Sequence, residues 1–403
     1  MLSIFNVLPL LLLGLQLPAT VILLSRLLKG PQRRSPLTPQ KPTPEQIGKV
    51  GVVVPTLNEV QRLSPCLAGL SQQSYELQQI VIVDSNSQDG TQELVQAAQA
   101  KEPRLKLITD PPLPPDWVGR PWALHNGFLY LSQQPSPVDW FLGIDADTQP
   151  QPGLVASLLQ IAQAGNYDMV SLSPQFILKY PGEWWLQPAL LMTLLFRFDP
   201  AGINPDSPET VMANGQCFLC RREVLEKLAG YSTAKNSFCD DVTLARNIAA
   251  QGFKVGFLDG AKVIKVRMYE GMAETWTEWG RSLALKDASS PSKLFHDCWL
   301  LLAVQGLPLI SVILGSLLPP TSFVSQIWLG LNWFLVIIRV ALLGAIAPSY
   351  DWSQTPPLYG LAFLLSPLAD PVAFLRIILS ALSRPKRWRG RNYPTFQSEG
   401  IEG

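Results

Sequence analysis

Trp140-Phe141-Leu142-Gly143-Ile144-Asp145-Ala146-Asp147 is a five-residue apolar run that stops on two carboxylates spaced two apart. A run of that length, bounded by polar residues, reads as a strand buried on both faces. Working outward, the same pattern recurs. Residues 50–55 are β-branched and apolar and end in Thr56-Leu57-Asn58-Glu59. Residues 79–84 end in Ser85-Asn86-Ser87-Gln88-Asp89-Gly90-Thr91, a helical stretch follows over 92–101, and 105–109 is strand-like again. Short apolar strands alternating with helices predict a mostly parallel sheet with helices on both faces, an α/β class of fold.

In such sheets ligands bind outside the carboxyl ends of the strands. The polar clusters at Asn58-Glu59, at Asp84 to Asp89 and at Asp145-Ala146-Asp147 all fall there. Strand ends also attract Asp and Asn as turn formers, so each cluster alone has a plain structural reading. Together they point to a site. Two carboxylates just past a strand can converge with a bound diphosphate on one divalent cation, and hard oxygen ligands suit Mg²⁺ or Mn²⁺. No GxxxxGK[ST] and no GxGxxG follows the first strand, so a glycine-rich phosphate cradle is not expected. With His125 and His296 the only histidines, histidine metal centres and triads are not expected either. Cys239-Asp240-Asp241-Val242 places two acids at the start of a helix over 242–251. One can cap that helix while the other faces a cleft as a general base, and both readings stand at this point.

Composition limits the remaining classes. Hydrophobic residues make up 47% and charged residues 16% of 403, and the charge deficit lies at the two ends. The net charge of +1 argues against nucleic acid as a partner. Residues 2–24 carry no charge, and Arg26, Lys29, Arg33 and Arg34 come directly after them. Such a run is long enough to cross a bilayer, and its positive flank would hold the downstream chain in the cytoplasm. Residues 1–28 are therefore expected to be an N-terminal transmembrane anchor, 29–47 a linker and 48–295 the catalytic domain. Residues 296–383 are expected to form C-terminal transmembrane helices, and 384–403 a basic cytoplasmic tail. Within the C-terminal block, residues 299–318 and 323–347 are two spans, the second holding Arg339, which must face protein or snorkel. The run 358–382 is broken by Ser366-Pro367-Leu368-Ala369-Asp370-Pro371, and a re-entrant hairpin there would return the tail to the cytoplasm. The odd count of 5 cysteines reads as structural thiols in a reducing compartment, with Cys217 and Cys220 on opposite faces of a strand.

Val53-Val54-Pro55-Thr56-Leu57-Asn58-Glu59, then Val83-Asp84-Ser85-Asn86-Ser87-Gln88-Asp89-Gly90-Thr91, then Asp145-Ala146-Asp147 and Asp240-Asp241 resemble, in order, the signature of family 2 glycosyltransferases. The resemblance covers roughly residues 48–290. It implies the GT-A fold, a nucleotide-sugar donor (UDP- or GDP-sugar), Mg²⁺ or Mn²⁺, and inversion at the anomeric carbon. Carried over by position, Glu59 and Asp84 would contact the nucleoside, with Asp84 near the base, and Thr56, Asn58 and Asp89 would be further substrate-binding residues. Asp145 would lie by the ribose and sugar, Asp240 beside the substrate, and Asp147 would bind the metal. Asp241 would be the base that deprotonates the acceptor hydroxyl. Gly119-Arg120-Pro121-Trp122-Ala123-Leu124-His125 stands where relatives carry Gly-Lys before an Ala-Leu-Asn helix. Arg120 would keep a cation for the diphosphate.

The stretch Trp279-Gly280-Arg281-Ser282-Leu283-Ala284-Leu285-Lys286-Asp287-Ala288 is similar to cyanobacterial carotenoid 2′-O-glycosyltransferases, a branch that includes hopanoid-associated enzymes. That similarity implies a membrane lipid or carotenoid acceptor of myxol type, Trp279 and Arg281 as acceptor contacts, and a cell or thylakoid membrane location. Trp276, Trp279 and Leu283 share one helical face beside Arg281, as in a helix lying on a bilayer; core packing has the same period. The alternatives are a hopanoid, polyprenyl phosphate, diacylglycerol or polysaccharide acceptor, and a catalytically dead membrane scaffold.

Overall fold

The computed structural model describes residues 4–279, 283, 285–318, 320, 322–353, 355–382, 387–388 and 391–392. Its chain divides into two compact units. One comprises residues 34–176, 204–268 and 384–403; the other comprises 1–33, 177–203 and 269–383.

The first unit is built on a seven-stranded sheet. Its strands are β1 (Val50–Thr56), β2 (Leu77–Asp84), β3 (Leu105–Thr109), β4 (Trp140–Ile144), β6 (Met169–Ser173), β8 (Cys217–Arg221) and β9 (Val255–Asp259), ordered 3-2-1-4-8-6-9. All neighbours run parallel except β8, which is antiparallel to β4 and β6. Three short strands, β5 (Thr148–Pro150), β7 (Gln175–Phe176) and β10 (Ile264–Val266), form a second sheet in the order 5-10-7.

The period-2 pattern of strand side chains explains the layering. Val50, Val52 and Val54 join Ile80, Ile82, Leu142 and Cys217 in one core, with helices Leu63–Ser71 and Leu154–Gly165 packed on that face. Val53 joins Val81, Val83, Phe141 and Cys220 in the other, beneath helices Gly119–Ser132 and Asp240–Ala250. Cys217 and Cys220 therefore lie on opposite faces, and all five cysteines are free thiols. Burial pushes the Cys66 thiol up to about 12.

The second unit is helical. Among the described residues, three of its helices are long and apolar enough to cross a membrane: Val7–Gln32, Pro291–Leu317 and Phe323–Ser349, with mean hydropathies of 2.3, 2.1 and 2.1. Pro357–Leu364 and Ser366–Leu382 form a pair bent by 49°, either a broken span or a re-entrant loop. Arg339 faces protein: its Nε donates to Asp370 Oδ2 at 2.8 Å, and its Nη2 donates to the Ser366 hydroxyl at 3.3 Å. The Pro-broken segment thus supplies the counter-charge that a buried cation requires. Gln16 donates to Asn332 Oδ1 and to the Ala303 carbonyl, both at 2.9 Å, tying the first helix to the others. Polar bonds of this kind hold helices together where all surroundings are apolar.

The apolar segment around 184–196 forms helix Pro181–Arg197 and belongs to the helical unit, as does everything from 269 to 383. Residues 177–203 and 269–295 of the expected 48–295 domain thus group with the helical unit, and Trp184, Leu186, Leu190 and Phe196 are buried. Trp279 is buried at the end of a π-helical turn, Thr275–Trp279, in that same unit. Arg281 lies outside the described residues, as does most of the expected tail.

Candidate active site

The register of the parallel strands sets the rim. Thr56 pairs with Asp84 and Asp84 with Thr109, so β1, β2 and β3 end level with one another. Asp145 follows directly on β4, which lies on the other side of β1.

At the β1–β2 end the acids are consumed by their own loops. Asp84 is fully buried. Its Oδ1 accepts from the Thr56 hydroxyl at 3.2 Å and from the Ser87 hydroxyl. Its Oδ2 accepts from the Ser87 amide at 3.0 Å and the Gln92 side chain at 2.6 Å. A carboxylate offers about four acceptor positions, and these four bonds from the protein occupy them. Asp89 accepts from the Thr91 amide and hydroxyl at 3.1 and 2.6 Å and from the Val60 amide at 3.1 Å. These bonds hold its carboxyl below the usual range, although the little burial it has acts the other way. Asn58 sits at φ 56°, a left-handed conformation that Asn tolerates, and its Oδ1 accepts from the Gln88 amide at 2.8 Å. Glu59 is buried, with its amide donating to the Thr91 hydroxyl at 2.9 Å.

The β4 end is different. Asp147 is 7% exposed, and its Oδ1 is buried with no hydrogen-bond partner among the described residues. Burial first, and the Asp145 carboxylate second, push its acid up to about 8. Its backbone is fixed from behind: the Arg267 amide of the β10 strand end donates to the Asp147 carbonyl at 3.0 Å. The Thr148 hydroxyl donates to the Asp145 carbonyl at 2.8 Å. Residues 148 and 266 pair across β5 and β10, so the second sheet holds the acidic turn in place.

Arg120, in the first turn of helix Gly119–Ser132, reaches across. Its Nε donates to Asp145 Oδ1 at 2.9 Å, Nη1 to Asp240 Oδ2, and Nη2 to the Gly215 carbonyl at 2.6 Å. Burial works to lower the guanidinium's pKa, and Asp145, Asp240 and Asp241 outweigh it, so Arg120 stays protonated. Asp240 and Asp241 open helix Asp240–Ala250, where the helix dipole favours negative charge. Asp240 is buried, which pushes it up to about 7 although Arg120 pulls the other way. Asp241 is partly exposed, and its Oδ2 accepts from the Gly215 amide at 2.7 Å. The sequence left open which acid faces inward; the structure ties Asp240 to Arg120 and leaves Asp241 at the surface of the site.

Gly215 escaped the sequence reading. It lies in Asn214-Gly215-Gln216, immediately before β8, where Asn214 Oδ1 accepts from the Gln216 amide at 2.9 Å. A Cβ at 215 would stand 2.5 Å from Arg120 Nη2, so only glycine admits the arginine this closely. A glycine before a buried strand was the available signal. Arg62 was missed too; its charge acts on Asp147, opposing the upward shift.

A metal would have to be shared with a ligand. Among the described residues no group of three His, Cys, Asp or Glu side chains is placed to hold one. At the β4 rim, Asp147 offers a buried carboxylate oxygen with no hydrogen-bond partner among the described residues. That donor set fits a hard cation whose remaining ligands are phosphate oxygens and water.

A mostly parallel sheet with an antiparallel β8 and acids at its carboxyl rim is the GT-A architecture. Residues 51–229 match glycosyl transferase family 2. The mannosyltransferase PcManGT of Pyrobaculum calidifontis, solved with GDP-Man and Mn²⁺, shares the fold at a TM-score of 0.52 and 18% identity, over 94% of this chain and 99% of that one. Among curated relatives, the 4,4'-diaponeurosporenoate glycosyltransferase of Staphylococcus haemolyticus is 24% identical over 247 residues, 61% of this chain and 64% of that protein. The undecaprenyl-phosphate 4-deoxy-4-formamido-L-arabinose transferase of Photorhabdus laumondii is 30% identical over 130 residues, 31% of this chain and 37% of that protein. The chain thus covers less than two thirds of the length of either.

Proposed function

We propose that this protein is a membrane-anchored inverting glycosyltransferase. It transfers a sugar from a UDP- or GDP-sugar, with Mg²⁺ or Mn²⁺, to the hydroxyl of a membrane lipid, first of all a carotenoid of myxol type. The observation that carries the donor half is the buried, unpartnered oxygen of Asp147 beside Asp145 at the β4 rim. A cation held there would neutralise charge on the departing nucleoside diphosphate. Asp241 would accept the proton of the acceptor hydroxyl, its carboxylate aimed by the Gly215 amide. Glu59, with the loop that Thr56, Asn58, Asp84 and Asp89 brace, would receive the nucleoside. Asp84 contributes by fixing that loop.

The acceptor half is supported by the three long apolar helices and by the staphylococcal relative, whose name specifies a carotenoid-type substrate. In this reading the catalytic unit is cytoplasmic, and Trp279 and Arg281 serve the acceptor. The Photorhabdus relative, named for undecaprenyl phosphate, favours a polyprenyl phosphate as the second reading. Pigment and lipid profiling of a strain lacking the gene separates the two. Loss of a glycosylated carotenoid supports the first; an unchanged pigment set with altered polyprenyl-linked sugars replaces it with the second.

A further inference from the structure

We infer that Arg120 is a positioning residue that locks the donor-side and base-side carboxylates into one array through Gly215, instead of gripping the diphosphate. The inference rests on the glycosyltransferase reading above and deepens it.

A guanidinium carries five N–H donors in a rigid plane. Three groups of the protein already occupy three different nitrogens of Arg120: Asp145 on Nε, Asp240 on Nη1 and the Gly215 carbonyl on Nη2. They come from three separate elements: the turn after β4, the start of helix Asp240–Ala250, and the segment before β8. A planar fork engaged on all three sides has its orientation set by the protein. The contacts continue past it. Gly215 accepts from Arg120 with its carbonyl and donates from its own amide to Asp241 Oδ2 at 2.7 Å. One residue therefore connects the cation to the proposed base. Three carboxylates, Asp145, Asp240 and Asp241, surround this single cation; without it, like charges in a poorly solvated site would repel. Lysine supplies the charge as a point and cannot reproduce three divergent bonds.

Two substitutions reach the array from opposite sides in the full-length, detergent-solubilised protein. Arg120→Lys keeps the charge and removes the fork. Gly215→Ala keeps every charge and drives a Cβ to within 2.5 Å of Nη2. Hydrogen exchange of the Gly215 amide, read without any nucleotide, should speed up about tenfold in both variants as the bond to Asp241 loosens. UDP and GDP titrated with MnCl2 should bind both variants as they bind the wild type. Turnover at saturating nucleotide sugar should fall about 100-fold, the usual cost of misplacing a reacting group by an ångström. Unchanged exchange in both variants overturns the inference. So does a loss of nucleotide affinity in Arg120→Lys with turnover preserved, the behaviour of a diphosphate cation. Because exchange needs no substrate, it judges the clamp even if the wild type transfers no sugar, an outcome that counts against the glycosyltransferase reading alone.

Discussion

The two halves of the acidic rim look alike in sequence and behave oppositely in the fold. At the β1–β2 end, Asp84 and Asp89 spend their oxygens on Thr56, Ser87, Gln92, Val60 and Thr91. At the β4 end, Asp147 keeps a buried oxygen without a partner, while Asp145 and Asp240 converge on one arginine from distant parts of the chain. Burial of a polar atom without a bond costs free energy and persists where something else uses it. Hydrogen-bond saturation thus separates Asp84 and Asp89 from Asp147 along this rim.

The largest effect expected from this contrast is on Asp241. Asp241→Asn should lower transfer by about 10²–10⁴-fold, the range for loss of a general base, with folding and membrane insertion intact. Transfer assays on isolated membranes give the answer, and undiminished transfer would remove Asp241 from that role. Next comes Asp84→Asn, which should act through the fold. Replacing one oxygen of a saturated buried carboxylate leaves donors mismatched and should cost about 2–3 kcal/mol. The expected record is a lower melting temperature with nucleotide affinity retained well below it. A wild-type melting curve with lost nucleotide binding would instead make Asp84 a contact residue.

A pH dependence separates the two ends further. With its acid raised to about 8 in the fold against roughly 3.9 in an unfolded chain, metal-free Asp147 favours folding while protonated. That contribution is present below about pH 4 and is lost as pH rises toward 8. Asp147→Asn should therefore raise the melting temperature of the metal-free protein at pH 8 and leave it unchanged at pH 4. Equal melting of both forms at pH 8 would show that Asp147 is solvated or already partnered. The smallest effect is at exposed Asp89. Asp89→Ala removes bonds at the start of helix Thr91–Gln99 and should cost about 1 kcal/mol, read by denaturant titration.

Much of this was legible in the sequence, for identifiable reasons. β3 and β4 fall on the expected residues 105–109 and 140–144, because β-branched and aromatic runs between turn residues have few other solutions. The need of Arg339 for a partner was also legible, since a bare charge among apolar residues demands one. That the partner is Asp370, inside the Pro-broken run, required the packed helices. Arg120 is the clearest limit. Its cationic character was plain, but its three bonds come from residues 25, 95 and 120 positions away, and no local pattern records such a convergence. Gly215 was invisible for a related reason: a glycine chosen for close approach of a side chain looks like any turn glycine. Helix Pro181–Arg197 reads as part of the catalytic domain because chain order, not partner, is what a sequence displays.

The central claim is that the unpartnered Asp147 oxygen serves a cation shared with the donor's diphosphate, and nucleotide-sugar binding tests it most directly. Membranes containing the wild type should bind UDP- or GDP-sugar with Mn²⁺ or Mg²⁺ and release it on chelation, whereas Asp147→Asn should bind equally weakly with and without the metal. Chelator-resistant binding by the wild type, or full metal-dependent binding by Asp147→Asn, would contradict it.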